Sequence, residues 1–89
     1  MLSPEEKSIK SKMETWLNAF IYQKRASGQS VSKADIAKAL GCAQSSLSQY
    51  TNPKHPKKAP WEFQCKFCCL VGRTIEQLHP ELLNVRLSA

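Results

Sequence analysis

Eighty-nine residues, 42% of them hydrophobic, make one domain with a modest core and leave no room for an elaborate catalytic cleft. No apolar run approaches the roughly 18 residues that span a bilayer, and the opening MLSPEEKSIK has no apolar leader stretch, so the sequence predicts neither a membrane protein nor an exported one. Thirteen basic residues against seven acidic ones give a formal charge of +6, and no Asp or Glu occurs from Ile36 to Trp61 while Lys38, Lys54, Lys57 and Lys58 all fall there. One region is therefore positive without local compensation, which suits an anionic partner.

The N-terminal SPEE reads as a capping box, with Ser3 as N-cap, Pro4 at the first helical position and Glu6 reaching back. Ile9, Met13, Trp16, Leu17, Phe20 and Ile21 then recur at helical intervals, with Lys7, Lys10, Lys12, Glu14 and Lys24 mostly off that stripe. The pattern predicts a first helix of more than about 20 residues, stopping at Gly28. Ser32 and Asp35 repeat the capping signal for a second helix, with Ile36, Ala37 and Leu40 inward and Gly41 as its stop. A third helix is predicted from Ala43 or Gln44, burying Leu47 and part of Tyr50, to the Asn52-Pro53 break. The stretch TNPKHPKKAP, with three prolines and three lysines, is predicted to be non-helical and exposed. Trp61 to Val71 reads as a fourth helix ended by Gly72, and TIEQLHPELL as a short fifth with Ile75 and Leu78 inward, limited by Pro80. The tail NVRLSA reads equally as a short strand or an unstructured end. Trp16 and Trp61 are expected in the core.

Without a secretory signal the cysteines Cys42, Cys65, Cys68 and Cys69 are expected as reduced, buried small hydrophobes. A metal centre from CKFCC with His55 or His79 is the sharper alternative, but a second pair at zinc-finger spacing is missing, so no metal or cofactor is expected. Catalysis is not expected either. There is one Asp, no Gly-rich phosphate loop and no Ser-His-Asp logic, and a Cys-His nucleophile from Cys65 or Cys69 with His79 would lie in a helix of core residues.

Two helices meeting across Gly41 raise a more specific expectation. A helix-turn-helix needs a small residue where its first helix faces its second, a glycine free to take positive φ at the turn, and an apolar residue packing back. Ala37, Gly41, the plug Cys42 and Leu47 supply these, with Ile36 and Leu40 as anchors. This spacing resembles the helix-turn-helix of the Cro and repressor proteins of lambdoid phages and the wider Xre family. PWEFQCKFCCLVGRTIEQLHPEL is similar to that family's fourth and fifth helices through Val71, Gly72, Thr74, Ile75, Glu76 and Leu78, with Cys68 where the family places a small alanine. The resemblance covers residues 30–84. Ala43 departs from it where the family has a Ser or Thr cap, Lys33 replaces a phosphate-contacting Gln, Gln64 interrupts an apolar face, and the first helix exceeds the family norm.

The resemblance implies an all-α, compact five-helix bundle of the lambda repressor-like type in a single domain over 1–89, with the helix-turn-helix at 32–51, a basic linker at 52–60 and C-terminal helices at 61–83. It implies that Gln44, Ser45, Ser46, Ser48 and Gln49 face the bases of double-stranded DNA, where Gln can bond adenine through N6 and N7 and Ser can serve several base edges. No arginine is there to read guanine, which points to A·T-containing contacts. Lys33, Thr51, Asn52, Lys54, His55, Lys57 and Lys58 are the expected phosphate contacts, which position without reading sequence. Lys33 and the amide opening the third helix would share one such phosphate.

The function expected is a cytoplasmic transcriptional regulator of phage, prophage or bacterial origin. It would act in the bacterial nucleoid or a phage-infected host, repressing as a homodimer on a pseudo-palindromic operator. Its dimer surface would be the C-terminal Leu82, Leu83, Val85 and Leu87, or else the first helix. The alternative is a protein-interaction module, an antitoxin or adaptor, whose partner uses the long first helix.

Overall fold

A computed structural model describes residues 2–80, and among them the chain is all-helical: α1 (Pro4–Ala26), α2 (Lys33–Leu40), α3 (Gln44–Thr51), α4 (Trp61–Val71) and α5 (Ile75–Leu78), with no strand. Local chemistry sets most of these bounds. The Ser3 hydroxyl accepts from the Glu6 amide at 3.2 Å and the Glu6 carboxylate accepts from the Ser3 amide at 3.3 Å, closing the box that opens α1. Ser32 and Asp35 do the same for α2. A third box, Thr74 with Gln77, opens α5 by the same three-residue spacing. Gly41 ends α2 and Gly72 ends α4 in nearly identical left-handed conformations, φ 74°, ψ 30° and φ 74°, ψ 29°. In each, the glycine amide and the next one bond back to the last turn: Gly41 to Lys38 and Cys42 to Ala37, Gly72 to Cys69 and Arg73 to Cys68.

At 23 residues, α1 is the spine, about 35 Å long. It packs against α3, α4 and α5, while α2 packs against α3 and α4. Met13 and Leu17 from α1 meet Ile36, Ala37 and Leu40 from α2, Leu47 from α3, Phe63, Phe67 and Cys68 from α4 and Leu78 from α5 in one core. Tyr50 tilts against Phe63 with ring centroids 4.9 Å apart, which closes the α3–α4 side. Leu2, Pro53 and Pro56 border one hollow, so the chain before α1 and the basic linker lie side by side.

Several expectations are corrected here. Lys10 does not lie off the α1 stripe: it is 2% exposed, at i, i+3, i+7 with Met13 and Leu17. Lys24 is half-buried, its ammonium 5.4 Å from the Phe20 ring centre. Trp61 is not in the core but 55% exposed, lying against His79 at 5.4 Å, because it falls two positions before Phe63 and so near the opposite side of α4. Trp16 is half-buried with the Arg73 guanidinium 5.1 Å from its ring. Of the cysteines only Cys68 is buried; Cys42 is half-buried, and Cys65 and Cys69 are exposed on the side of α4 away from Phe63 and Phe67. Burial pushes the Cys42 and Cys68 thiols up, with Cys65 adding to the effect at Cys68. The expectations for the tail 84–89 and for Leu82, Leu83, Val85 and Leu87 lie outside the described residues.

No helix among the described residues is long and apolar enough to cross a membrane, and no group of three or more His, Cys, Asp or Glu there is placed to hold a metal ion.

Candidate nucleic-acid interface

The N-cap of α3 is Ala43, whose methyl group leaves the first amides of the helix without a side-chain cap. Leu47 is completely buried and Thr51 is 4% exposed, so these two residues point α3 into the core. That orientation turns Gln44, Ser45 and Ser48 to solvent and leaves Ser46, Gln49 and Tyr50 half-buried on its flanks. The outward surface is polar, uncharged and free of carboxylate. It can donate and accept hydrogen bonds, and it brings no repulsion toward an anion.

The end of α3 is a built turn. The Asn52 carbonyl accepts from the His55 amide at 3.0 Å, while the Asn52 side-chain oxygen accepts from the Lys54 amide at 3.0 Å. Asn-Pro at the start of such a turn is what the geometry favours, since Asn bonds its own backbone and Pro presets φ. His55 Nδ1 accepts from the Lys57 amide at 3.1 Å, so its ring proton sits on Nε2. The segment is irregular, as expected, but not loose. The Lys10 ammonium donates to the carbonyls of His55 and Lys57 at 2.5 and 2.6 Å. Lys58 pairs with Glu6 at 3.4 Å, and Gln64 Nε2 donates to the Ala59 carbonyl at 2.9 Å while its Oε1 meets His79 Nε2. Gln64, expected to interrupt an apolar face, instead ties the end of the linker to α4 and to His79.

Lys33, Lys54 and Lys57 stand near α3, while Lys58 turns toward Glu6 of α1. Lys33 and Lys54 border one open hollow of about 450 Å3, together with Ser48, Asn52 and, from α1, Glu14 and Asn18. Nothing in the sequence around Asn18 or Glu14 marks them for this hollow, because only the packing of α1 on α3 brings them there. The Lys57 ammonium lies 5.6 Å from the Tyr50 ring centre, held toward α3 by the ring face. Lys58 keeps 70% of its side chain exposed despite its pair with Glu6, so water and salt screen that ion pair. Burial works to raise the Glu6 carboxyl, but hydrogen bonds from Ser3 and the Lys58 ammonium outweigh it and hold Glu6 below the usual glutamate range.

Thr51 leaves the set of expected phosphate contacts. It is buried, and its hydroxyl donates to the Leu47 carbonyl one turn back at 2.9 Å. The remaining positions Lys33, Asn52, Lys54, Lys57 and Lys58 are exposed, and His55 is half-buried with Nε2 left to a further partner. Ser48 is both exposed and at the edge of the hollow, so the hollow adjoins the outward polar surface of α3. Comparison with protein-family models, with curated proteins and with solved structures finds no match to this chain.

Proposed function

We propose that this protein is a sequence-specific binder of double-stranded DNA that regulates transcription by occupying an operator. The α2–turn–α3 unit is read as a helix-turn-helix of the lambda repressor-like type, with α3 entering the major groove. The observation that carries this reading is the carboxylate-free Gln/Ser surface of α3 with Lys33 and Lys54 together at one hollow beside it and Lys57 held against its Tyr50. In this reading Gln44 bonds an adenine through N6 and N7, Ser45, Ser48 and Gln49 serve neighbouring base edges, and Ser46 contributes from the flank. The lysines, with the Asn52 amide and His55 Nε2, hold phosphates. One such helix covers few base pairs, so the working form is a homodimer on half-sites about 34 Å apart.

Selection from random duplexes followed by sequencing tests the reading, with a pseudo-palindromic product expected. On the selected duplex Gln44→Ala is expected to cost about 1–3 kcal/mol and relax base preference at one position. An absence of duplex affinity even at low salt would remove the reading. A protein partner would then be the better account, favoured by Tyr22, 74% exposed on the outer half of α1.

A further inference from the structure

Lys10 is the one charged residue buried among the described residues, at 2% exposure. An apolar side chain would continue the stripe of Met13 and Leu17, so packing alone gives no reason for an ammonium there. Burying that group is costly unless its N–H bonds are satisfied. Its partners are main-chain carbonyls more than forty positions away, those of His55 and Lys57, on either side of Pro56. A segment with three prolines has few amides with which to bond its own carbonyls, so it needs donors from elsewhere. Lys10 supplies two from one atom. The residues whose carbonyls it draws inward lie in the run that carries Lys54, Lys57 and Lys58.

We propose that Lys10 is a positioning residue for DNA binding: by holding the His55 and Lys57 carbonyls it fixes the linker backbone that carries Lys54, Lys57 and Lys58, so that these lysines are presented from an already ordered segment. This rests on the duplex-binding reading above. The advantage is entropic, since a loop already ordered in the free protein loses less freedom when it meets a phosphate row. Other contacts act in the same direction: Leu2 lies beside Pro53 and Pro56, Glu6 holds Lys58, and the Tyr50 ring holds Lys57. Glu6 also favours the charged form of Lys10, against the burial that lowers it.

The test compares Lys10→Met with Lys12→Met, a loss of one charge from the same helix at a position that does not touch the linker. Duplex affinity is measured against salt for both and for wild type, and helicity by circular dichroism confirms folding. Lys10→Met is expected to make the log–log salt slope shallower by about two units or more, and Lys12→Met by about one unit or less, at about 0.9 per phosphate contact. Hydrogen exchange at the bonded amides of Lys54, His55 and Lys57 is expected to speed up in Lys10→Met alone. Equal slopes and equal exchange in the two variants, with wild type binding normally, would overturn the Lys10 proposal and leave the DNA reading standing. A wild type without duplex affinity would overturn both. Should Lys10→Met not fold, the Lys10 ammonium of the wild type is followed by NMR through its hydrogen-bond couplings to the two carbonyls. Couplings that persist on the bound duplex support the proposal, and couplings lost on binding overturn it.

Discussion

Gly41→Ala isolates the turn between α2 and α3. Gly41 sits at φ 74°, and a Cβ built there meets nothing within 4 Å, so the substitution carries no steric clash and only backbone strain. An L-residue in the left-handed region costs about 1–2 kcal/mol. Alanine also stiffens the unfolded chain, which offsets about 0.4–1 kcal/mol. The net loss should be near 1 kcal/mol, a fall in Tm of roughly 4–8 °C for a domain of this size. Gly72 has the same dihedral angles, the same pair of backbone bonds and the same open space, so Gly72→Ala should lose the same amount. Gly41→Asn should lose less, because Asn tolerates this region better than other side-chain residues. Urea titration with an unchanged m-value reads the difference as stability. No loss in Gly41→Ala would mean that the turn is not left-handed. A loss above about 3 kcal/mol, or a clear difference between the two glycines, would mean that the methyl group meets packing that the geometry does not contain.

Lys57→Ala should weaken all duplexes alike and make the salt slope shallower by about one unit, read by titration on specific and scrambled sequences. Thr51→Val keeps the shape and removes a hydroxyl already bonded inside α3, so duplex affinity should stay within about twofold; a large loss would return Thr51 to the contact surface. Hydrogen bonds from Ser32 hold the Asp35 carboxyl below its ordinary value of 3.8. A depressed acid adds stability above its unfolded pKa and loses it as pH falls through the folded one. The gap in urea midpoint between wild type and Asp35→Asn should therefore be full near pH 6 and narrow below about pH 4; a gap constant down to pH 3 would contradict the capping box.

Helix bounds were legible because their causes are local. Ser3-Pro4-x-Glu6, Ser32 with Asp35, and glycines at the stops act within four residues of the ends they set. Leu47, Ala37 and Phe67 were legible because the helical period alone puts them inward. Lys10 was not, although its spacing to Met13 and Leu17 was available: a lysine on an apolar stripe ordinarily reaches out to water, and only the return of a donor-poor linker gives it somewhere to bond. Trp61, Cys65 and Cys69 were misjudged by residue type, where their angular position around α4 pointed outward. Of the candidate surface, the exposed polar face of α3 followed from burying Leu47. The inward turn of the Thr51 hydroxyl did not, since Thr at a helix end bonds inside or outside with little difference in energy.

The division of thiols along α4 makes that helix addressable. Cys65 and Cys69 stand four residues apart on its open side, whereas Cys68 between them is buried and its thiol is held protonated by its surroundings. A maleimide dye or spin label would enter at the outer pair and leave the core intact, on a helix whose first residues adjoin the linker and whose inner side grips α1 and α2. The same exposure means that air-oxidised preparations would cross-link between molecules through α4, so an apparent dimer seen without reductant would record sulfur chemistry and not the homodimer proposed above.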